Sequence, residues 1–547
     1  MLGVLQNQGN LLGFTSEQLQ AAFFAAKKTS AERVEALAEV LRGPAARGLR
    51  EQVGHWVLQH MRIEEIVPER YAQWRPLVQD AMLFWFIHLS TDRLAPKLVE
   101  QMELPAKTQT GKRLLKLIAK VPGLQKLGQV LARNRNLQPA LRRALTELEN
   151  GICDMEAGQV RKIITEELSS RLQTQGVRLS PRIFCEASVS AVMRFTWQNP
   201  ESGKRERGVF KVMKPYIPAY FAEDMDLLAQ LARYVAGKHR EYGFARRVLP
   251  ETFNDVRRLL QHEVEFTHEQ ATLKEAYRLY GPVLGIRVPR LFESLCTSKV
   301  TAMTEERGEK ITTAGVHVPK WRRSMLSEIL VEAFLAVPIF SPEKDAMFHA
   351  DPHAGNLLYD KTSGELVILD WALTERVSRE ERRRLAMLFL MTALRDPDGI
   401  CEQIGALSRG GSHRKRSQVK LIRDSVNHFI SELPLAHIPG AADALDLLEE
   451  IAFKGVRLPA PLIMLRKVLF TLDGVQHDIG DPEVSVVSVL TRHATPRWLS
   501  SWTSFGGPLS LRDWLAVQRS ALLFGGRVGW QGAQSWMSRP RVVPTRA

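Results

Sequence analysis

The sequence is poor in cysteine and has no long hydrophobic run. Its 547 residues include four cysteines (Cys153, Cys185, Cys296 and Cys401), and none of them forms a CxxC pair. A disulfide framework or a zinc site is therefore not expected, and a reducing, cytoplasmic environment is predicted. No apolar stretch reaches the roughly 18 residues that span a bilayer. The N-terminus has no basic segment before its apolar residues, so no secretory signal is predicted.

Acidic residues are outnumbered: 75 Lys and Arg stand against 60 Asp and Glu, which gives a formal net charge of +15. This balance suits nucleic acid, an anionic membrane surface or phosphorylated ligands, and it does not choose between them. No nucleic-acid-binding module is recognisable, so nucleic acid is not an expected partner.

The basic excess is strongest at the end of the chain. Residues 491–547 hold five of the eleven tryptophans, eight arginines and a single acid, Asp513. Tryptophan with arginine suits a membrane interface, and the open alternative is that these aromatic side chains pack onto a helical domain. The tryptophans are Trp498, Trp502, Trp514, Trp530 and Trp536.

Hydrophobic periodicity predicts an α+β protein in which a small β-rich lobe precedes a mainly helical lobe. Thr29 and Glu32 have capping-box spacing, and the apolar run 81–89 is too short to cross a bilayer and predicts a buried helix. Strand patterns at 191–197 and 208–213 predict a hairpin, a helical pattern follows at 252–279, and a long buried helix is predicted at 324–340. Residues 356–372 predict a strand, a turn at 362–364 and a second strand. The expected divisions are a helical extension (1–120), a second helical segment (121–180), a β-rich lobe (181–310), a helical lobe (311–485) and the basic tail (486–547).

The strongest functional signal is the segment FHADPHAGNLLYD followed by LVILDWA. Phosphoryl transfer requires a carboxylate that orients the nucleophile and oxygen ligands that hold Mg²⁺ on the phosphates. Asp351 and Asn356 have the spacing of a kinase catalytic loop, and we predict that this loop leaves a helix. Asp370 ends an apolar strand, where a carboxylate is costly without a metal or a partner. Together the three residues predict a phosphoryl-transfer site.

Two histidines flank the catalytic segment. With Asp351, His349 and His353 could form a transition-metal site, since imidazole and carboxylate both bind such metals. The alternative is that a histidine braces the loop backbone.

A lysine in a strand supplies a candidate phosphate-binding cation. Lys211 lies centrally in GVFKVMKP, and an inward-facing lysine needs a counter-ion, which the predicted helix 252–279 offers in Glu263, Glu265 or Glu269. The alternative for this segment is a solvated edge strand.

These segments resemble the UbiB/AarF family of atypical, kinase-like proteins. LQKLGQVLARN resembles the family's KxGQ signature, CEASVSAV its alanine-rich loop, VFKVMKP its lysine-bearing strand, and FHADPHAGN with LDWA its catalytic and metal loops. The resemblance covers about residues 121–390. It implies a bilobal, protein-kinase-like fold and an ATP- and Mg²⁺-dependent kinase or ATPase in isoprenoid-quinone or lipid metabolism. It also implies peripheral association with the inner membrane and with biosynthetic-complex proteins.

The resemblance implies a role for each matching residue. Lys211 would contact the α- and β-phosphates and pair with Glu269, Asp351 would be the catalytic aspartate, and Asn356 with Asp370 would hold Mg²⁺. The other implied positions are Ala187 and Ser188 over the phosphates, the backbone after Met303 at the adenine, Lys126 and Gln129 on a segment covering the peptide-substrate site, and Glu263 and Glu265 at the family's ExD pair.

Some residues depart from the family pattern. Trp371 and Ala372 stand where Phe and Gly are expected, and Ser190 and Ala191 where Gly and Gln are usual. Alanine adopts positive φ less easily than glycine, so a stiffer metal loop is expected. Two alternatives therefore stay open: a catalytically weak pseudokinase that scaffolds a lipid-biosynthetic complex, and a small-molecule phosphotransferase, which also uses HxDxxxxN.

Overall fold

The computed structural model divides the chain into two compact units. The first comprises residues 1–268 with 291–305, and the second comprises residues 269–290 with 306–547. The structure describes residues 29–43, 46–60, 63–67, 69, 72, 75–105, 107–118, 121, 155–187, 189–200, 202–242, 257, 261, 264–408, 416–434, 439–456, 458–480, 489, 512–513 and 515–522.

Helices occupy the start of the first unit. The predicted capping box is present, because the Thr29 side chain accepts the Glu32 N–H and the Glu32 side chain accepts the Thr29 N–H. Residues 81–88 of the apolar run lie in a helix whose Phe84, Trp85 and Phe86 are buried, as predicted. The helices are α1 (Ser30–Arg42), α2 (Ala46–His60), α3 (Ile63–Ile66), α4 (Arg75–His88), α5 (Thr91–Glu103), α6 (Thr110–Ile118), α7 (Ala157–Leu168), α8 (Ser170–Thr174) and α9 (Ile217–Gly237).

A buried ion pair fixes the N-terminal helices to helix α9. The guanidinium of Arg93 on α5 lies 2.8 Å from both Asp224 and Glu223 on α9, and the Arg93 and Asp224 side chains are 3% and 0% exposed. Leu227 and Leu228 of α9 belong to the same hydrophobic core as the N-terminal helices. The extension therefore shares a core with α9.

An antiparallel sheet in the order β1-β2-β3-β5 forms the rest of the first unit. Its strands are β1 (Arg178–Glu186), β2 (Ser190–Gln198), β3 (Arg205–Met213) and β5 (Val300–Thr304). Pairing of β2 with β3 confirms the predicted hairpin. The prediction of helix up to residue 180 was wrong at its end, since β1 begins at Arg178. This strand is an edge strand with mostly exposed side chains, so it carries no buried alternation.

Two smaller sheets lie in the second unit. One has the order β4-β9-β8-β6 and the other pairs β7 with β10. The predicted strand–turn–strand at 356–372 is confirmed as β8 and β9, and Gly364 in the turn has φ +77°. The strands are β4 (Ile286–Arg287), β6 (Glu309–Lys310), β7 (Asp345–His349), β8 (Leu357–Asp360), β9 (Glu365–Ile368) and β10 (Thr374–Ser378).

Helix α10 (Phe266–Tyr280) carries Glu269 and corrects the prediction of one helix over 252–279. Glu265 precedes its first residue and is not helical, while Glu263 lies outside the described residues. A hydrophobic pattern alone did not reveal this interruption.

The long buried helix predicted at 324–340 is confirmed and contains a π-helical turn. It comprises α12 (Lys320–Val331), the π turn Glu332–Ala336 and α13 (Val337–Ile339). Pro338 lacks the N–H that would continue the helical hydrogen bonds, and the helix widens just before it. The buried Arg382 donates to the Pro338, Ile339 and Ser341 carbonyls, where the helix ends.

The remaining described helices follow the small sheets. They are α11 (Ile311–Val316), before α12, and α14 (Arg379–Ala393), α15 (Pro397–Leu407), α16 (Arg416–Glu432), α17 (Ala441–Phe453) and α18 (Ala460–Asp478). Among the residues that the structure describes, no helix combines the length and apolar character needed to span a bilayer.

The described part of the tail is held on this helical region. Asp513, the tail's only acid, accepts two hydrogen bonds from Arg383 on α14, at 2.6 and 2.7 Å. Ser520 donates to Asp396, the N-cap of α15, at 2.6 Å. Asp513 and Ser520 therefore contact the helical region. The five tail tryptophans lie outside the described residues, so the choice between a membrane interface and packing onto the helical domain stays a prediction.

Candidate active site

The catalytic segment leaves a strand, so the prediction that it leaves a helix was wrong. Strand β7 pairs along its whole length with β10, and Asp351 follows β7 by two residues. The Ala350 N–H bonds to the Leu373 carbonyl at 3.0 Å, which extends this pairing to the edge of the loop. Asp351 is 4% exposed. The two-stranded ladder thus fixes the direction in which the loop departs.

His349 braces the loop from beneath. Its Nδ1 accepts the Asp351 N–H at 3.1 Å, so Nε2 carries the proton and donates to the Asp370 carbonyl at 2.7 Å. Burial lowers the pKa of this imidazole, which favours its neutral form. Phe334 and Trp371 pack edge-on against the ring. Backbone groups occupy both nitrogens, and the described residues contain no cluster of three potential metal-ligating acids, histidines or cysteines. The bracing alternative therefore describes His349.

Asn356 is held close to the same loop. Its side-chain amide nitrogen bonds to the Asp351 carbonyl at 3.4 Å, and its own carbonyl accepts the Leu369 N–H at 2.8 Å. The Gly355 N–H bonds to His353 Nδ1 at 3.1 Å, and a Cβ at Gly355 would lie 2.8 Å from the imidazole ring. Strand β8 begins at Leu357, directly after Asn356, and pairs with β9, which ends two residues before Asp370. The ordered set predicted from the sequence is thus assembled within the second unit.

The segment that follows strand β9 contains a residue in the left-handed conformation, Asp370. This residue has φ +46°, and its Oδ1 accepts the Ala372 N–H at 3.2 Å. Ala372 is not among the described residues with positive φ, so the cost expected for alanine at that position is absent. Thr272 on α10 donates to the Trp371 carbonyl at 2.6 Å, and the fully buried Trp371 indole donates to the Ile368 carbonyl. The loop is therefore anchored on both sides of Asp370.

Asn356 and Asp370 fit a magnesium ion by the chemistry of their donors. An amide oxygen and a carboxylate are hard oxygen ligands, and Mg²⁺ needs only one or two from the protein because it keeps several waters. The hydrogen bond from the Asn356 amide nitrogen to the Asp351 carbonyl turns the amide oxygen away from that carbonyl.

Two basic side chains face the Asp351 carboxylate. Lys467 Nζ on α18 lies 3.4 Å from Oδ1, and His353 Nε2 lies 3.8 Å from Oδ2. Lys467 was not predicted from the sequence. It is more than a hundred residues from Asp351 along the chain, and its local pattern is that of an ordinary amphipathic helix.

Lys211 lies in an internal strand, so the alternative of a solvated edge strand was wrong. It pairs with Val192 on β2 and Thr301 on β5 and is 8% exposed. Its ammonium lies 5.5 Å from the centre of the Phe266 ring, within reach of a cation–π interaction. Glu269, in the second unit, is 2% exposed, and its pairing with Lys211 stays a prediction.

The other predicted nucleotide-site residues are described in part. The Ala187 N–H bonds to the Ser190 carbonyl at 2.8 Å, which closes the turn between β1 and β2. Met303 lies in β5 opposite Val209. Ser188, Lys126 and Gln129 lie outside the described residues, and their implied roles stay predictions.

A buried ion pair at the alanine-rich loop was also missed. Lys214 Nζ lies 3.1 Å from Glu186 Oε2, and the two side chains are 0% and 5% exposed. The Lys214 N–H bonds to the Val189 carbonyl at 3.0 Å. The sequence indicated only that VFKVMKP contains a second lysine, Lys214, and gave no sign that Glu186 is its partner. The pair ties the end of β3 to the loop that joins β1 and β2.

Replacing Lys214 by Met is expected to lower the free energy of unfolding by about 3 kcal/mol, because Glu186 is left as a buried, uncompensated charge. Urea denaturation measures the change. Lys299→Met is the matched control, since it removes a half-exposed pair with Glu167, and such pairs contribute less than about 1 kcal/mol. If both variants lost the same free energy of unfolding, the buried pair would contribute no more to stability than the exposed one.

Comparisons with known proteins indicate a kinase-like domain. Residues 147–404 match the family model of the ABC1 atypical kinase-like domain. The chain is therefore similar to the UbiB/AarF family of atypical, kinase-like proteins, in agreement with the resemblance found in the sequence. The predicted α+β, protein-kinase-like fold, with a small β-rich lobe and a helical lobe, is confirmed.

Curated relatives carry kinase names. "Probable protein kinase UbiB" of Aeromonas hydrophila is 25% identical over 425 residues, which cover 77% of this chain and 73% of the relative. "Protein ACTIVITY OF BC1 COMPLEX KINASE 7, chloroplastic" of Arabidopsis thaliana is 23% identical over 380 residues, which cover 68% of this chain and 52% of the relative. The solved complex of Rv3197 with erythromycin from Mycobacterium tuberculosis is 15% identical, with a TM-score of 0.43, and the match covers 67% of this chain and 89% of that one.

Proposed function

We propose that this protein binds ATP with Mg²⁺ and transfers the γ-phosphoryl group to a hydroxyl acceptor or to water. The observation that supports this most directly is the shared bracing of Asp351, Asn356 and Asp370. One buried imidazole, His349, bonds to the backbone of both aspartates, and Asn356 bonds to the backbone of Asp351. In phosphoryl transfer the protein contributes mainly by positioning such groups and by stabilising charge.

The proposed reaction uses Asp351 as the proton acceptor. Its carboxylate orients the attacking hydroxyl, whose oxygen forms a bond to the γ-phosphorus. The bond between that phosphorus and the oxygen bridging to the β-phosphate breaks, and ADP leaves with the electron pair. The hydroxyl proton passes to Asp351, and the products are ADP and a phosphorylated acceptor, or inorganic phosphate when water attacks. Asn356 and Asp370 would hold Mg²⁺, whose charge neutralises the phosphate oxygens.

The biological setting proposed is isoprenoid-quinone or lipid metabolism near a membrane surface. The match to the ABC1 atypical kinase-like family model and the UbiB name of the relatives support the pathway. The net charge of +15 supports contact with an anionic surface. Proteins of a lipid-biosynthetic complex are proposed partners on the same grounds.

The proposal is tested by measuring nucleotide binding and ADP formation with the purified 547-residue protein. Mg²⁺ and ATP together are expected to raise the melting temperature more than either does alone, and a coupled assay is expected to detect ADP formation. Binding without ADP formation would favour the pseudokinase scaffold, and rapid phosphorylation of a soluble alcohol would favour a small-molecule phosphotransferase. The absence of any Mg²⁺-dependent ATP binding would overturn the proposal.

A further inference from the structure

Helix α18 brings a cation to the catalytic loop. Lys467 Nζ lies 3.4 Å from Asp351 Oδ1, and the two side chains are 32% and 6% exposed. The lysine is therefore partly open to solvent, while the carboxylate beside it is nearly buried.

The catalytic loop supplies no such cation itself. Residues 348–356, FHADPHAGN, contain no lysine or arginine. His353 is the basic side chain within the loop that faces Asp351, and its Nδ1 already accepts the Gly355 N–H. Charge develops on the transferring phosphoryl group beside the catalytic carboxylate, and a fixed cation at that place stabilises the transition state.

Side chains of α18 other than Lys467 dock this helix on its neighbours. The neighbouring Arg466 already docks α18 on α17, through Asp446 at 3.1 Å and Glu449 at 2.5 Å. Gln476 bonds from α18 to the Ser327 carbonyl on α12. Lys467 differs from both, since it reaches the predicted catalytic carboxylate.

We propose that Lys467 is a phosphate ligand of this site. Its ammonium holds the Asp351 carboxylate in the nucleotide-free protein and contacts the terminal phosphate when Mg²⁺ and ATP are bound. This inference rests on the proposed function, and it adds a cation from outside the residues matched by the family model, which end at 404.

Competitive acylation of lysines with a soluble amine reagent, read by mass spectrometry, tests the contact without requiring turnover. Mg²⁺ with ATP is expected to slow Lys467 labelling at least about fivefold, whereas Mg²⁺ with AMP, which lacks the terminal phosphate, is expected to have little effect. Lys361 is the internal control: it is 35% exposed and pairs with Glu309, so its labelling should not change.

Steady-state kinetics supply a second readout. Lys467→Met is expected to lower kcat for ADP formation about a hundredfold with little change in KM for ATP, as for a donor that acts mainly in the transition state. Lys467→Arg should recover part of kcat, because it restores the charge. Arg466→Met, on the same helix, should leave kcat within about threefold of wild type.

The labelling and kinetic results distinguish a failure of the role proposed for Lys467 from a failure of the proposed phosphoryl transfer. Nucleotide binding with equal labelling of Lys467 in ATP and in buffer would overturn the role of Lys467 alone. Protection from labelling in a protein without turnover would keep Lys467 as a phosphate ligand and remove the proposed catalysis. A protein that binds no nucleotide would overturn both.

Discussion

Replacing Asp351 by Asn is expected to lower kcat for ADP formation by about two to four orders of magnitude, the usual contribution of a general base. Asparagine has nearly the same shape but cannot take the hydroxyl proton. The affinity for ATP with Mg²⁺ should change little, because the predicted metal ligands are Asn356 and Asp370. A coupled ADP assay and the melting temperature with Mg²⁺ and ATP measure the two quantities.

The matched control for this experiment is Asp345→Asn. Asp345 begins strand β7, is exposed, and pairs in the ladder with Ser378, so the variant changes one carboxylate on the same element. Its kcat should equal that of wild type. A loss of activity at Asp345 as large as at Asp351 would point to damage to β7 rather than to a missing base.

Asp370→Asn is expected to weaken binding of ATP with Mg²⁺ by roughly two orders of magnitude. Mutation of a residue that only orients a metal ligand typically lowers metal affinity about 10- to 100-fold, and removal of a ligand itself should lower it at least as much. Asparagine tolerates the left-handed conformation found at this position (φ +46°) and can still accept the Ala372 N–H. The loop therefore keeps its shape, and the variant isolates the carboxylate charge. Titration with a fluorescent ATP analogue, with and without Mg²⁺, measures the change.

Asp360→Asn is the control for the metal loop. Asp360 lies in the same hairpin and accepts the Thr362 N–H, while Arg287 pairs with its carboxylate, and both contacts lower its pKa. The variant should lose some stability but keep its affinity for ATP with Mg²⁺. If Asp370→Asn bound ATP with Mg²⁺ as tightly as wild type, Asp370 would not be a ligand, and the assignment of the metal site would fail.

Local sequence signals predicted those parts of the fold that short-range physics determines. The capping box at Thr29, the hairpin of β2 and β3, and the turn at Gly364 each depend on neighbouring residues. The spacing of Asp351 and Asn356 belongs to the same class, since the loop between them is held by its own hydrogen bonds. These features are readable because their partners lie close in sequence.

The features that were missed depend on distant or weakly patterned residues. Strand β1 is an edge strand without buried alternation, so its start was read as helix. Strand β7 is short, and its pairing with β10 cannot be seen before the fold is known. The contacts of Lys214 with Glu186 and of Lys467 with Asp351 each join elements that tertiary packing brings together. A single sequence carries no local signal for such pairs.

The pair formed by Arg383 and Asp513 bears on how the protein should be produced. Arg383 lies inside the stretch matched by the family model, whereas its partner lies more than a hundred residues beyond the end of that stretch. A recombinant fragment covering 147–404 would lack the Asp513 carboxylate, which accepts two hydrogen bonds from Arg383. It would also lack Lys467. Assays on such a shortened fragment would then measure a different protein from the full-length one.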